Sequence, residues 1–423
     1  MDVLFLPSVL HGTVAAPASK SLAQRFTVCA LFASGETLLE NYTACDDTER
    51  ALDAFRELGG EYSIESDVLR LRFQGTKPGT RRLDFGGSAT SMRLFLGAAC
   101  VMQGVKVLTG SEQLLRRPIK PLVDAYIGLG ASIEYMRENL PPLTVSSSTI
   151  RGGRVEFDSS LSSQFVSSLM IAGTRAESDL EIKLAGKIVS RGYILLTANT
   201  IRSMKGTVDV DLEKGFVTVS PSELRSCKMK LEGDFSSASY LLVAGVLAGE
   251  IHLKNLDSDS LQPDKAVLDL LSSAGCHVDW FKGAARATKS NPAGFTFDLE
   301  DNPDLGPLAA VLAAFCSGES RLTSIGRLRL KESDRVQTTL NMLRQLGVYA
   351  RVEGDTMVIR GNREVEGGVV DACGDHRIAL SAAVAGMASR KGVIVRGFES
   401  TSKSYPQFLS HVSALGANFS AQA

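Results

Sequence analysis

Two hydrophobic patterns alternate along this chain from end to end. In the first, apolar positions recur three and four residues apart, stop at a small residue followed by Gly, and give way to a short strand. It reads ALDAFRELGGEYSI at 51–64, LVDAYIGLGASIEY at 122–135, VLDLLSSAGCHVDW at 267–280, TLNMLRQLGVYARV at 339–352 and FLSHVSALGANFSA at 408–421. A weaker copy, LLTANTIRSMKGTVDV, lies at 195–210. The second pattern is Ala-rich and apolar nearly all round, and it ends in Gly before a β-branched strand, as in VCALFASGETLLEN, GAACVMQGVKVLTG and LLVAGVLAGEIHLKNL. It returns in SSLMIAGTRAESDLEIKL, VLAAFCSGESRLTSIG and AAVAGMASRKGVIVRG. A helix apolar on every side is a buried helix. The chain is therefore predicted to be an α/β protein of six units, each about 70 residues long, with one buried helix, one half-exposed helix and several strands. A doubly wound sheet has no such self-similarity.

Composition narrows the function without naming it. At 423 residues, 44% of them hydrophobic, the chain has material for two cores. Lys plus Arg (46) nearly equals Asp plus Glu (47), so the overall charge gives no reason to expect nucleic acid or an anionic membrane as partner. An anion site would have to be built locally. The seven cysteines are odd in number, scattered, and never in C-x-x-C spacing, which argues against zinc and against a disulfide framework. No apolar window approaches a membrane span, and the first residues lack the basic start of a signal peptide, so a cytoplasmic protein is expected.

The unusual residues lie where the six buried helices begin: PASKSLAQR (17–25), GGSATSMR (86–93), SLSSQF (160–165), GDFSSASY (233–240), NPDLGP (302–307) and CGDHR (373–377). Ser, Asp and Gly suit helix caps. Lys20, Arg93, His376 and Arg377 do not, because a cation at a helix N-terminus opposes the macrodipole by up to about 1 kcal/mol. Something anionic is expected to offset them, and helix N-termini are natural phosphate and carboxylate sites. Two further cationic stretches, LLRRPIKP at 114–121 and RLRLKESDRV at 327–336, fit the same reading.

Taken together, ASKSLAQR, GGSATSMR, RRPI, SSQF, LKESDR, GDHR and TSKSYPQF, in that order and spacing, make the chain resemble the enolpyruvyl transferase family, and within it the branch acting on shikimate 3-phosphate. The resemblance covers essentially the full length. It implies a two-domain, inside-out α/β barrel fold of six βαβαββ-type units, with 1–18 and 231–423 forming a discontinuous lobe and 19–230 an inserted one. It implies phosphoenolpyruvate and shikimate 3-phosphate as substrates in a cleft between the lobes, domain closure, no metal, no organic cofactor and a monomer. On the shikimate 3-phosphate side it implies Lys20, Ser21, Arg25, Ser162, Ser163, Gln164, Ser190, Tyr193, Asp304 and Lys331. On the phosphoenolpyruvate side it implies Lys20, Ala89, Thr90, Arg117, Gln164, Arg335, Arg377 and Lys403. Asp304, Glu332, Lys20 and His376 are the catalytic candidates.

Two positions depart from the family's usual N-x-G-T-x-x-R helix start: Gly87 replaces Asn, and Ala89 replaces Gly. The Ala89 methyl is expected to enter the phosphoenolpyruvate subsite and to confer tolerance of glyphosate. Arg327 stands where the family often has Asn. The sister enzyme acting on UDP-N-acetylglucosamine carries a reactive Cys five residues before the Arg matching Arg117, where this chain has Glu112. A non-catalytic anion-binding paralogue is the other alternative, and it would have no use for Asp304 and Glu332 among the cations.

Overall fold

Each Ala-rich run forms a helix buried on nearly every side, and each amphipathic run forms a helix with a solvent face. The computed structural model describes residues 1–422. The buried helices are Lys20–Cys29, Ala89–Val101, Ser163–Gly173, Phe235–Ala248, Gly306–Ala314 and His376–Ala388. The half-exposed helices are Asp46–Glu57, Lys120–Gly128, Arg191–Ser203, Val267–Ser273, Arg335–Gln345 and Phe408–Ala414. After most of the latter a Gly takes the left-handed backbone that ends a helix, as Gly130 does at φ +94°. In the weakest copy Lys205 takes that position at φ +65°, which is why its sequence signal is faint.

Among the described residues, six four-stranded sheets share one plan. Gly153–Asp158 pairs in parallel with Leu180–Ala185 across the Ser163 helix. The second of these strands then pairs antiparallel with Phe216–Ser220, and that strand pairs antiparallel with Thr207–Asp211. The unit is thus strand, buried helix, strand, exposed helix, strand, strand, with the last strand inserted before the third.

The chain divides into two compact units, Met1–Pro17 together with the chain from Glu232 on, and Ala18–Leu231. Each has its own hydrophobic core. In the unit from Glu232 on the three buried helices pack pairwise, and in Ala18–Leu231 the Ala89 helix packs against both of the others. Close approach is possible at Gly97, where an added Cβ would lie 2.8 Å from Ser168 O.

The repeats are not all contiguous. Leu10–Ala15 leads along the chain into the Lys20 helix, yet pairs in parallel with Gly249–Lys254, the strand after the Phe235 helix. Lys228–Lys230 precedes the Phe235 helix, yet pairs in parallel with Glu36–Glu40, the strand after the Lys20 helix. Each crossing therefore exchanges a first strand. Asp2–Leu6 completes the last sheet by lying between Val393–Arg396 and Asn418–Gln422. Among the described residues no helix is long and apolar enough to cross a membrane.

Candidate active site

In the Ala18–Leu231 unit, side chains tie together the starts of the three buried helices. Lys20 Nζ donates to Asp47 Oδ2 at 2.9 Å. The buried Gln24 donates through Nε2 to Ser91 Oγ at 2.8 Å and Ser88 Oγ at 3.1 Å. Arg93 donates to Gln164 Oε1 at 2.6 Å and to Pro118 O at 2.9 Å, and lies over the Phe165 ring. Gln164 Nε2 in turn donates to Thr90 Oγ1 at 2.9 Å, beside the buried Ala89. Ser162 caps its helix, its Oγ accepting from Gln164 N at 3.3 Å, with buried Ser163 following. Ser190, buried and left-handed at φ +50°, opens the Arg191 helix. Arg117 is half-buried just past the short Glu112–Leu115 helix.

Arg25 is the most telling residue of this unit. It is 1% exposed, and Nε donates to Thr197 Oγ1 at 2.8 Å, Nη1 to Ser21 O at 2.9 Å and Nη2 to Tyr193 O at 3.4 Å. Its guanidinium also lies 5.4 Å from the centre of the Tyr193 ring. Every one of these partners is neutral. Burial pushes its pKa down to about 10. A buried guanidinium without a carboxylate is costly, because desolvation is not repaid by an opposite charge.

The other unit holds a denser ionic cluster. Asp304, in the turn before the Gly306 helix, receives Lys331 Nζ at 3.1 Å, Arg335 Nη1 at 2.8 Å and Arg377 Nη2 at 3.2 Å. Glu332 bridges Arg335 (2.7 Å) and Lys403 (3.0 Å). Asp375 receives Arg335 through two nitrogens, at 2.8 and 3.1 Å, while its Oδ1 caps the His376 helix by accepting from Arg377 N at 3.0 Å. His376 is buried, with Nδ1 3.7 Å from Asp375 Oδ1. Arg335 is thus 1% exposed and engaged by three carboxylates, so in this arrangement it organises the cluster rather than presenting an open fork. Arg327 donates to Glu300 O at 2.9 Å, and burial lowers its pKa.

Opposing environments separate the acids of this cluster. Burial disfavours ionisation of Asp304, but Arg377, Lys331 and Arg335 outweigh it and hold the carboxyl well below the usual range. Asp264, which is fully buried, lies 3.8 Å from Arg377, accepts from Ser236, and also feels the carboxylates of Asp304 and Asp234. Burial therefore dominates and pushes Asp264 up to about 6. Lys331 is brought down to about 8, by burial first and by Arg327 and Arg335 against the pull of Asp304. For Arg335 the three carboxylates overcome burial and raise its pKa. Divergent pKa values of this kind occur in proton-transfer sites and in buried structural ion-pair networks alike.

An acid with a raised folded pKa stabilises the fold below its unfolded pKa, and that contribution is lost as pH rises through the folded value. Asp264→Asn is therefore expected to raise Tm relative to the parent protein at pH 8, by a few degrees, and to give a smaller gain at pH 5. Thermal unfolding at the two pH values checks this, and an equal or larger gain at pH 5 contradicts it.

Each of the two substrate sets marked by sequence draws residues from both units: Arg117 and Arg377 belong to one set, Arg25 and Asp304 to the other. The family whose description is EPSP synthase (3-phosphoshikimate 1-carboxyvinyltransferase) matches residues 6–412. The chain belongs to the EPSP synthase family. It is 38% identical to a 3-phosphoshikimate 1-carboxyvinyltransferase of Aeropyrum pernix over 99% of this chain and 96% of that one. It is 35% identical to the protein of that name from Korarchaeum cryptofilum, over 97% of each. The fold is that of an EPSP synthase structure from Acinetobacter baumannii, at 21% identity and a TM-score of 0.84, over 99% of this chain and 100% of that one.

Sequence reasoning missed Asp47, Asp264 and the ion-pairing role of Asp375. It expected external anions to offset Lys20 and Arg377, whereas Asp47, Asp304 and Asp264 lie beside them. Asp375 stands inside the GDHR string but reads only as a cap, and Asp47 reads as an ordinary acidic first turn. No local pattern distinguishes either. Among the described residues no group of three or more His, Cys, Asp or Glu could hold a metal ion.

Proposed function

We propose that this protein transfers the enolpyruvyl group of phosphoenolpyruvate to the 5-hydroxyl of shikimate 3-phosphate, releasing phosphate, as a monomer in the cytoplasm. The observation that carries the reading is Arg25, a buried guanidinium whose partners are all neutral and which stands beside Ser21 and Tyr193. It suits the ring phosphate of shikimate 3-phosphate. Ser162, Ser163, Gln164 and Ser190 supply neutral donors and acceptors for the same substrate. Lys20, Arg117, Arg377 and Lys403 supply cations for the carboxylate and phosphate of phosphoenolpyruvate.

The chemistry is addition followed by elimination. The 5-hydroxyl oxygen attacks C2 of phosphoenolpyruvate and loses its proton while C3 gains one, giving a tetrahedral ketal phosphate. Loss of a C3 proton and of phosphate then forms the enol ether. Asp304, held ionised and weakly basic, orients the 5-hydroxyl as a hydrogen-bond acceptor. Lys331, 3.1 Å from it and brought to about 8, can exchange a proton near neutrality. Glu332, between Lys403 and Arg335, serves proton movement at C3. Lys20 stabilises the departing phosphate, and His376 adds a hydrogen-bonding group.

Phosphate release from purified protein tests this. Release is expected with phosphoenolpyruvate plus shikimate 3-phosphate, and none with phosphoenolpyruvate plus UDP-N-acetylglucosamine. Release with the second acceptor, or with neither, contradicts the assignment. The same assay tests Ala89. Its methyl is expected to weaken glyphosate, so that Ala89→Gly lowers the half-inhibitory concentration by about tenfold, equivalent to about 1.4 kcal/mol. Low-micromolar inhibition of the parent protein at modest phosphoenolpyruvate would remove this role for the methyl.

A further inference from the structure

Behind the ionic cluster, in the same unit, lies a cavity of about 360 Å³ that the proposed reaction does not use. One wall is the Arg335 helix, through Thr338, Asn341, Met342 and Arg344. The facing wall is the strand Gly368–Asp371 and the turn after it, through Val369, Val370 and Cys373, with Arg396 at the edge. Its volume falls in the range of small-molecule sites, which combine apolar walls with a few placed polar groups. Val369 is the exposed apolar surface, with the buried Met342 and Val370 beneath it. Two arginines, Arg344 and Arg396, line it with one carboxylate, Asp371, whose Oδ1 already accepts from Cys373 N at 2.7 Å. Arg344 reaches only a neutral partner, Asn341 Oδ1, at 3.0 Å, and Arg396 Nε lies 3.9 Å from Asp2.

We infer that this cavity is a second binding site, for a small anion with an apolar body, and that its occupancy is felt at the Arg335–Asp375 ion pair. The anionic head is held by Arg344 and Arg396, and the body lies on Val369, over the buried Met342 and Val370. Coupling follows a hydrogen-bond chain. Thr338 Oγ1, on the cavity wall, lies 3.2 Å from Ser333 Oγ, which donates to Asp375 Oδ2 at 3.0 Å, the same oxygen that receives Arg335 Nε at 2.8 Å. On the other wall, Cys373 is two residues from Asp375 and is held at φ +52°, a backbone region that a non-Gly residue seldom adopts, so a shift there is transmitted to the turn that carries Asp375. A ligand between these walls thus touches both elements that hold the pair, which is the physical requirement for coupling. The effect on turnover rests on the proposed transferase function; binding does not.

Calorimetric titration of the full chain with benzoate, a carboxylate on an apolar ring, tests the site. One saturable event is expected, weakened at least about tenfold by Arg344→Ala or Arg396→Ala and lost in Val369→Trp, which fills the cavity from an exposed wall position. Inorganic phosphate, an anion without the body, is expected to bind there at least about tenfold more weakly. Benzoate is expected to lower phosphate release in a way that added phosphoenolpyruvate does not reverse, and the Arg344 and Arg396 variants are expected to keep basal turnover and lose that inhibition. Normal turnover, together with benzoate heats that all three variants leave unchanged, overturns the site and leaves the transferase assignment standing. Variant-sensitive benzoate binding without turnover supports the site and removes the transferase assignment. Inhibition fully reversed by phosphoenolpyruvate overturns the coupling.

Discussion

Replacing Asp375 with Ala is expected to destabilise its unit by about 1–3 kcal/mol, because Arg335 Nε and Ser333 Oγ lose their buried acceptor while Asp304 and Glu332 still offset the Arg335 charge. Asp375 is fully buried, and both of its oxygens are used. Oδ2 accepts from Arg335 Nε and Ser333 Oγ, while Oδ1 accepts from Arg335 Nη2 and from Arg377 N at the helix start. Asp304 and Glu332 remain beside Arg335, but neither replaces the two-nitrogen contact. The same substitution removes the N-cap of the His376 helix, a further loss of about 1 kcal/mol. In a unit of about 200 residues the combined effect is a fall in Tm of roughly 10 °C. Thermal unfolding of the variant checks this, and a Tm within about 2 °C of the parent would show that the pair is not a structural anchor.

The largest effect on turnover is expected for Asp304→Asn. The carboxylate is the common partner of Lys331, Arg335 and Arg377, and its charge is held in place by all three. Asn keeps the shape and loses the charge, so the fold should persist while kcat falls by about 10²–10⁴-fold, because the 5-hydroxyl loses its orienting acceptor and Lys331, the proton-exchanging group, loses the charge that holds its pKa. Loss of the negative charge also removes the chief force holding Lys331 protonated. Its pKa, already near 8, should fall further, and any limb of the pH–rate profile due to Lys331 should move to lower pH. Turnover within threefold of the parent protein, with circular dichroism unchanged, would remove Asp304 from the reaction.

The elements were legible in the sequence because they rest on local periodicity. Buried and half-exposed helices differ in how far round the apolar residues extend, and the strand that follows each is announced by its Gly. The exchange of first strands at the two crossings was not legible. Lys228–Lys230 is three residues long, and its partner Glu36–Glu40 lies far back along the chain, so no local pattern specifies the pairing. The site divides in the same way. Lys20, Arg93 and Arg377 stood out because a cation opposes a helix start, whereas Arg25, a turn further in, was marked only by the family resemblance. The carboxylates that answer those cations were hidden for another reason. Asp47 and Lys20 are 27 residues apart, and Asp375 and Arg335 are 40, so their roles are set by packing between helices rather than by spacing.

The central claim is a carbon–oxygen bond formed between two substrates, and proton nuclear magnetic resonance of an incubation of phosphoenolpyruvate, shikimate 3-phosphate and a trace of this protein tests it most directly. The expected result is loss of the phosphoenolpyruvate vinyl signals, appearance of a new vinyl pair, and a shift of the ring proton at C5 where the ether forms. Vinyl signals that persist unchanged, or a ring proton other than that at C5 shifting, would contradict it.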